Sequence, residues 1–440
     1  MSLTQQLVQL IRSKPVTKAD LEAASLFVLD ALCNAYAGRR TPQAIKFLSW
    51  YSSQGNDSGR QAFTIGALTH ILETDDLHKA SVTHPGCVIV PAALAVASRQ
   101  NSSAIEFLTS VLHGFEASCR IGNAVGPAHY RIWHNTATCG PFGSAMAVSS
   151  LLGLSEEQCV HALGNAGTQS SGLWQFLETG AMSKHLHAGR AAESGLVAAD
   201  LAALGVTGPP AILEGDKGFF RATCTDADPD AVLRSPEEPW QLCLTSIKPW
   251  PCCRHTHPVV DAALELHKKI DGREIERIEV ESYQAALDVC DRPQPTTEYA
   301  AKFSLHHCVC TALLDGQLGF ESFGPEQRER LAQYENRISV IRSASIEAEY
   351  PGHWGGSVNV TLNDGSRHTA SRKDCLGDPE YPLDHAAMTR KAEELLRFGG
   401  WNDQRAQRRI NSILELADGF ADPELFATIV DELLRPSDMD

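Results

Sequence analysis

The chain has 440 residues, 43% of them hydrophobic and 21% charged, with a formal net charge of −16. That length and balance describe a folded protein with room for two or three domain-sized cores, not a disordered chain. The acidic balance argues against a nucleic-acid binder, which must neutralise phosphates, but leaves room for a local basic pocket that takes a small anion.

The N-terminal stretch MSLTQQLVQLIRSKPVTKADLEA begins an amphipathic helix and lacks the long apolar core of a signal peptide. No apolar run is long and uncharged enough to span a bilayer. Thirteen cysteines occur without a CxxC pair, Cys252 and Cys253 being adjacent and Cys308 and Cys310 two apart. This pattern reads as reduced thiols in a cytoplasm, with no iron–sulfur or zinc-ribbon spacing.

Up to about residue 240 the periodicity is helical. LEAASLFVLDALCNAYAG carries apolar residues at three- and four-residue intervals and ends in Gly38, read as a C-cap. NSSAIEFLTSVLHGFEASCRIG opens on Ser102 or Ser103 as N-cap and lines Ile105, Leu108, Val111 and Leu112 along one face. Ser155 with Gln158 forms a capping box before CVHALGNAG, and RAAESGLVAADLAALG has the Ala content of a strong helix former. Ala, Gly and Ser dominate these helices, which lets them pack closely.

The character changes near residue 245. EIERIEVESY alternates Ile275, Ile278 and Val280 with charges; ISVIRSASIEAEY and SVNVTLNDGSRHTASRKD read as strands, with Asn363-Asp364-Gly365 as a hairpin turn. AKFSLHHCVCTALLDG between them is helical, and helices return in DHAAMTRKAEELLRF and RAQRRINSILELADG. The expected fold is mainly α. A large all-α helical domain spans residues 1–243 and 384–440, and a smaller α+β domain spans 244–383.

Five segments place ionisable residues inside apolar surroundings. TDDLHKASVTHPG holds Asp75, Asp76, His78, Lys79 and His84; HYRIWHNTATCGPFGSA holds His129, Arg131 and His134; AMSKHLHAGRAAESG holds Lys184, His185, His187 and Arg190; IKPWPCCRHTHPVVDAA holds Lys248, Arg254, His255 and His257; AKFSLHHC holds Lys302, His306 and His307. Lysine and arginine bind carboxylates, arginine through a bidentate fork. Histidine is the usual acid or base near neutral pH. The combination suits proton transfer next to a carboxylate, with the developing charge held electrostatically. Plainer readings stand beside this one: Asp75 and Asp76 as a solvated loop or a helix cap, His84 as a turn histidine, Lys184 as a surface lysine, and His255 and His257 as core residues. A divalent-metal site at Asp75, Asp76, His78 and His84 lacks HExxH order.

Together the ordered segments ETDDLHKASVTHPG, IWHNTATCGPFGSA, SKHLHAGRAAESG with GVTGPPAILEGDKGFF, IKPWPCCRHTHPVVDAA and AKFSLHHCVCTALLDG resemble the MmgE/PrpD family over most of the length. That family includes 2-methylcitrate dehydratase, cis-aconitate decarboxylase and iminodisuccinate epimerase. The resemblance implies a helical domain with a smaller lid-like α+β domain, a homodimer, and chemistry without a metal or other cofactor. It implies that His84 and His134 are catalytic, and Lys184, Lys248, Asp75 and Asp76, which match family positions, are read as holding substrate; Arg190 and Arg254 are further candidates for that role from their charge alone. Three positions depart from the family pattern: Glu73 stands for the first Asp of D-F-D-D-T, Leu77 for its Thr, and His307 for a tyrosine. Glu73 is therefore counted with the substrate-binding residues and His307 with the catalytic ones. The implied activity is acid–base work on a small di- or tricarboxylate. Dehydration of the 2-methylcitrate type is the first reading, and epimerisation of an iminodisuccinate-type dicarboxylate is the second. Decarboxylation of the cis-aconitate type, a non-catalytic carboxylate-binding paralogue and a metal-dependent hydrolase complete the set. No nucleic acid or membrane is expected as a partner.

Overall fold

The computed structural model describes residues 1–422 and 424–435. The chain divides into two contact units, one of Met1–Thr245 with the described residues from Asp384 onward, the other of Ser246–Leu383. The sequence places these divisions at 243/244 and 383/384. The fold is mainly α, with one small four-stranded sheet among the described residues.

In the larger unit, local signals set the helix starts. Ser103 caps Ala104–Ala124 in a reciprocal box with Glu106, and Ser155 caps Glu156–Gly167 in a box with Gln158. The helices Ser58–His70, Gly86–Gln100, Asn135–Leu151 and Ser183–Ala203 pack on one another. Their small residues make that possible. A Cβ on Gly189 would lie 2.4 Å from the Phe63 carbonyl oxygen, so only glycine permits the crossing. Gly38 corrects an expectation. It is the last residue of the helix Lys18–Gly38, and the cap position falls on Arg39. Glycine stands there because a Cβ would lie 2.1 Å from the Leu68 carbonyl oxygen. The helices His385–Phe398 and Asp403–Leu414 pack on Lys18–Gly38, so the C-terminal segment belongs to this unit. Lys391 ties it there by donating to the Asp30 carboxylate and, at 2.8 Å, to the Thr74 carbonyl.

The smaller unit is built on the sheet β2-β1-β3-β4, with β1 Ile275–Ser282, β2 Ile338–Arg342, β3 Gly356–Leu362 and β4 Arg367–Arg372. Strand β1 runs parallel to β2 and antiparallel to β3. Ile275 and Ile278 are three apart yet both buried, which a two-residue period forbids. A register shift between Ile275 and Arg277 absorbs the extra residue. The 363–365 turn joins β3 to β4, with Gly365 at φ 82°. The helices His257–Ile270 and Leu305–Asp315 pack together, and the first covers β3 and β4. ISVIRSASIEAEY is only half strand: β2 ends at Arg342, Ser343 N donates to Ser282 O, and Ala344–Glu349 turns helical. Its Ala and Glu content favours that outcome over a longer strand. No helix among the described residues is long and apolar enough to cross a membrane.

Buried histidines make stability pH-dependent. Burial lowers His78 to about 3, His113 to about 4 and His255 to about 3. An unfolded histidine takes its proton near pH 6.5. Above that pH both states are neutral at these sites; below it the unfolded chain binds protons that the native chain refuses. Stability from these groups is therefore complete above about pH 6.5 and falls as pH drops toward 4, with a slope of at most about 1.4 kcal/mol per pH unit per group. Calorimetry from pH 8 to 4.5 should show a flat midpoint above pH 7 and a falling one below pH 6; a midpoint that rises on acidification contradicts the assignment. Gly38→Ala should lower the thermal midpoint by the equivalent of about 1–3 kcal/mol although alanine is the better helix former, because the clash is with backbone. A midpoint unchanged or raised would show that the crossing has slack.

Candidate active site

The segment between the helices Ser58–His70 and Gly86–Gln100 is a buried polar loop. Glu73, Asp75 and Asp76 are each at most 2% exposed. Such groups require partners inside the protein. Both Asp76 carboxylate oxygens accept from Gly86 N at 3.0 Å. The carboxylate thus caps the helix that follows, where the macrodipole favours an anion. Gly86 is required for this, since a Cβ would lie 2.9 Å from either oxygen. The loop is pinned elsewhere too: His78 N donates to Thr83 O at 2.9 Å, Asn135 Nδ2 to Ser81 O at 2.8 Å, and His84 N to Thr136 Oγ1 at 3.0 Å. Two non-glycine residues take left-handed backbone, Glu73 at φ 62° and Val82 at φ 50°. For β-branched Val82 this is a strained conformation, of the kind that persists where surrounding contacts hold it.

His84 sits at the end of this loop. Its Nδ1 donates to the Asp76 carbonyl at 2.6 Å, with the Asp75 carboxylate 3.5 Å away. The Nδ1 proton is thereby committed, which makes Nε2 the basic nitrogen of the neutral ring. Asp75 Oδ2 also accepts from His70 Nδ1 at 2.6 Å. The His70 ring lies 4.8 Å from that of His84, 5.9 Å from that of His134 and 6.4 Å from that of His185. His134 is positioned by its backbone N donating to Gly172 O at 3.0 Å and by Trp174, 4.5 Å away. Its Nδ1 meets His187 Nδ1 at 3.3 Å, so one ring donates and the other accepts. Burial, and then the positive fields of His70 and Lys184, hold His134 well below the ordinary histidine range. Burial likewise lowers His185 to about 3 and His187 to about 4. These three rings are neutral at pH 7. His70 Nε2, His134 Nε2 and His185 Nδ1 are buried without a hydrogen-bond partner in the protein. Two of these rings, those of His134 and His185, lie within 6.4 Å of the third, that of His70.

Lys184, expected to bind substrate, is buried near the start of Ser183–Ala203 and donates to both Glu73 oxygens, at 2.6 and 2.5 Å. Glu73, the departure from the family aspartate, is its counter-ion. Arg190, on the same helix, is exposed, pairs with Glu193 at 2.7 Å and lines a cavity of about 770 Å³. Trp133, Gln169, Phe176, Leu186 and His187 complete much of that wall, so His187 links the cavity to His134.

The remaining expected residues lie in the smaller unit. Lys248 is buried there. Arg254 is paired with Asp378, which also accepts from Ser246 Oγ at 2.6 Å. His307, expected to be catalytic, is buried and hydrogen-bonded at both nitrogens. Its Nδ1 meets Glu335 at 3.1 Å and its Nε2 the Ser322 carbonyl at 2.8 Å, so both nitrogens are spent on holding Leu305–Asp315 in place. The larger unit therefore gathers His84, His134, Lys184, Glu73, Asp75 and Asp76 into one buried centre. Sequence reasoning passed over His70 and gave His185 and His187 no role. The signal for His70 was a histidine five residues before a buried aspartate.

Comparison with known proteins identifies the family. Residues 5–232 match the MmgE/PrpD N-terminal domain and residues 250–416 the MmgE/PrpD C-terminal domain. The chain is 28% identical to a cis-aconitate decarboxylase-like protein, oryM, of Aspergillus oryzae, covering 94% of this chain and 93% of that one. It is 27% identical to a cis-aconitate decarboxylase of Aspergillus terreus, covering 91% and 90%. A mitochondrial 2-methylcitrate dehydratase of Yarrowia lipolytica is 23% identical over 70% of this chain and 64% of that one. With both domain matches in order along the chain, this protein belongs to the MmgE/PrpD family.

Proposed function

We propose that the chain is a lyase that moves a proton at a carbon beside a carboxylate of a small polycarboxylate, without a metal or other cofactor. The observation that carries this is the His84 arrangement: Nδ1 held by the Asp76 carbonyl, Nε2 as the basic nitrogen, and a buried carboxylate 3.5 Å from Nδ1 to balance the charge that forms on protonation. In a dehydration neutral His84 takes the proton from the carbon beside the carboxylate onto Nε2, and the imidazolium gives it to the departing hydroxyl, which leaves as water; in a decarboxylation Nε2 is first protonated from solvent, and the imidazolium delivers that proton to the carbon as carbon dioxide leaves. His134, neutral by burial, serves as hydrogen-bond partner through Nε2 rather than as a resting acid. Lys184 supplies the positive charge that holds a substrate carboxylate or the developing enolate. Metal chemistry at His70, Asp75 and His84, whose ligand atoms lie within 4.8 Å of one another, is disfavoured by the donor set. The Nδ1 protons of both rings already go to oxygen acceptors.

Two reactions can use this proton carrier. Loss of carbon dioxide from a cis-aconitate-type tricarboxylate comes first, because the relatives matching nearly the whole chain carry decarboxylase names. Dehydration of a 2-methylcitrate-type substrate, the first reading from sequence, rests on a more distant and partial match. The test is product analysis by proton NMR with cis-aconitate and 2-methylcitrate, in enzyme treated with EDTA. A vinyl product with carbon dioxide from the first establishes decarboxylation, an alkene from the second dehydration, and no product from either overturns the lyase reading. His84→Gln should cost on the order of 10²–10⁴ in kcat. Full turnover by that variant removes His84 from the chemistry.

The Lys184–Glu73 pair gives a separate prediction. Lys184→Met strands a buried carboxylate and should destabilise by about 3–5 kcal/mol, whereas Glu73→Gln/Lys184→Met removes both charges and should recover most of that. Activity should not return in the double variant. If it does, the lysine serves the fold alone.

A further inference from the structure

We propose that His70 is a positioning residue for the reaction, holding Asp75 in the orientation and charge state that set how readily His84 exchanges its proton. The inference rests on the reading of His84 as the proton carrier. Three observations bear on it. His70 is fully buried at the last position of Ser58–His70, and its Nδ1 points at Asp75 Oδ2 at 2.6 Å. A carboxylate can only accept, so the shared proton belongs to His70. The same Oδ2 lies 3.5 Å from His84 Nδ1. One oxygen therefore faces two imidazoles, and what His70 donates to it is withdrawn from what it offers His84. The His70 ring is also the hub of the cluster, in contact range of His84, His134 and His185 at once.

The charged and titratable groups around this centre come from every element of the larger unit packed on it. The loop brings Glu73, Asp75 and Asp76, the helix Gly86–Gln100 brings the Cys87 thiol, and the start of Asn135–Leu151 brings His134. The helix Ser183–Ala203 brings Lys184, His185 and His187. His70 donates to Asp75 through an imidazole whose other nitrogen has no hydrogen-bond partner among the described residues. Changing His70 thus alters Asp75 with little other rearrangement of hydrogen bonds.

The chemistry selects the variants. Asparagine places its Nδ2 where histidine places Nδ1, so His70→Asn keeps the donor; His70→Leu removes it. With ¹⁵N-histidine labelling and no substrate present, the pH at which His84 takes up its second proton should rise by about half a unit or more in His70→Leu, because Asp75 is then less neutralised. His70→Asn should return it to within about 0.2 units of the parent, and in an Asp75→Asn background His70→Leu should add nothing, as residues acting through one group are non-additive. With an active substrate, kcat should fall about tenfold or more in His70→Leu with KM little changed, and recover in His70→Asn. A His84 midpoint that stays or moves down in His70→Leu overturns the proposal, as does one that His70→Asn fails to restore. Thermal melts of all variants identify any that do not fold; if His70→Leu is among them, His70→Ala, which also removes the donor, with and without Asp75→Asn supplies the same coupling. The NMR readout needs no turnover, so failure of the lyase assignment and failure of this proposal are separable.

Discussion

Asp75 is a carboxylate at 1% exposure, and much of the larger unit is arranged so that it can stay there. Burying a charge costs several kcal/mol unless hydrogen bonds replace the lost water, about the size of a domain's whole net stability. His70 supplies one such bond, and Cys87 reaches it from the following helix. Asp76 beside it solves the same problem differently, by capping a helix that needs an acceptor. Glu73 solves it with Lys184. Three consecutive acidic solutions within four residues require backbone that turns sharply, and Glu73 accordingly sits in left-handed conformation.

The scaffold follows from that demand. A loop of this kind must be held from several sides, and the helices around it approach closely because glycine and alanine line their crossings. The C-terminal segment takes part through Lys391, whose bond to the Thr74 carbonyl braces the loop from a helix more than 300 residues away in sequence. Neutral histidines then become tolerable in the interior. Burial removes their charge, which leaves His134 and His185 as hydrogen-bonding groups near His70 and His84, the two imidazoles that face the Asp75 carboxylate. Environment, not residue type, divides the labour among the rings.

What was legible in the sequence was local. The capping box at Ser155 and the turn at residues 363–365 are decided by side chains within three positions and stand where the pattern put them, while of the two N-cap candidates Ser102 and Ser103 it is Ser103 that caps, in a box with Glu106. The five polar segments could be ordered into a family because their spacing is a one-dimensional property. Contacts set by tertiary structure were not legible. Lys184 and Glu73 are 111 residues apart, and nothing in either segment shows that one neutralises the other. His307 looked like an added catalytic group, yet Glu335 and the Ser322 carbonyl claim it. Gly38 carried the signature of a cap and serves a helix crossing instead. His70 hid in an apolar flank because burial of an imidazole depends on where a carboxylate five residues later is turned.

The account stands on His84 carrying a proton to or from a carbon next to a carboxylate. The direct measurement is turnover of cis-aconitate in D₂O, with the product examined by proton and deuterium NMR alongside His84→Gln. The account predicts a product with one solvent-derived deuterium at the newly protonated carbon, and a His84→Gln rate lower by on the order of 10²–10⁴. Carbon dioxide release at undiminished rate from His84→Gln, with the same deuterium content, would contradict it.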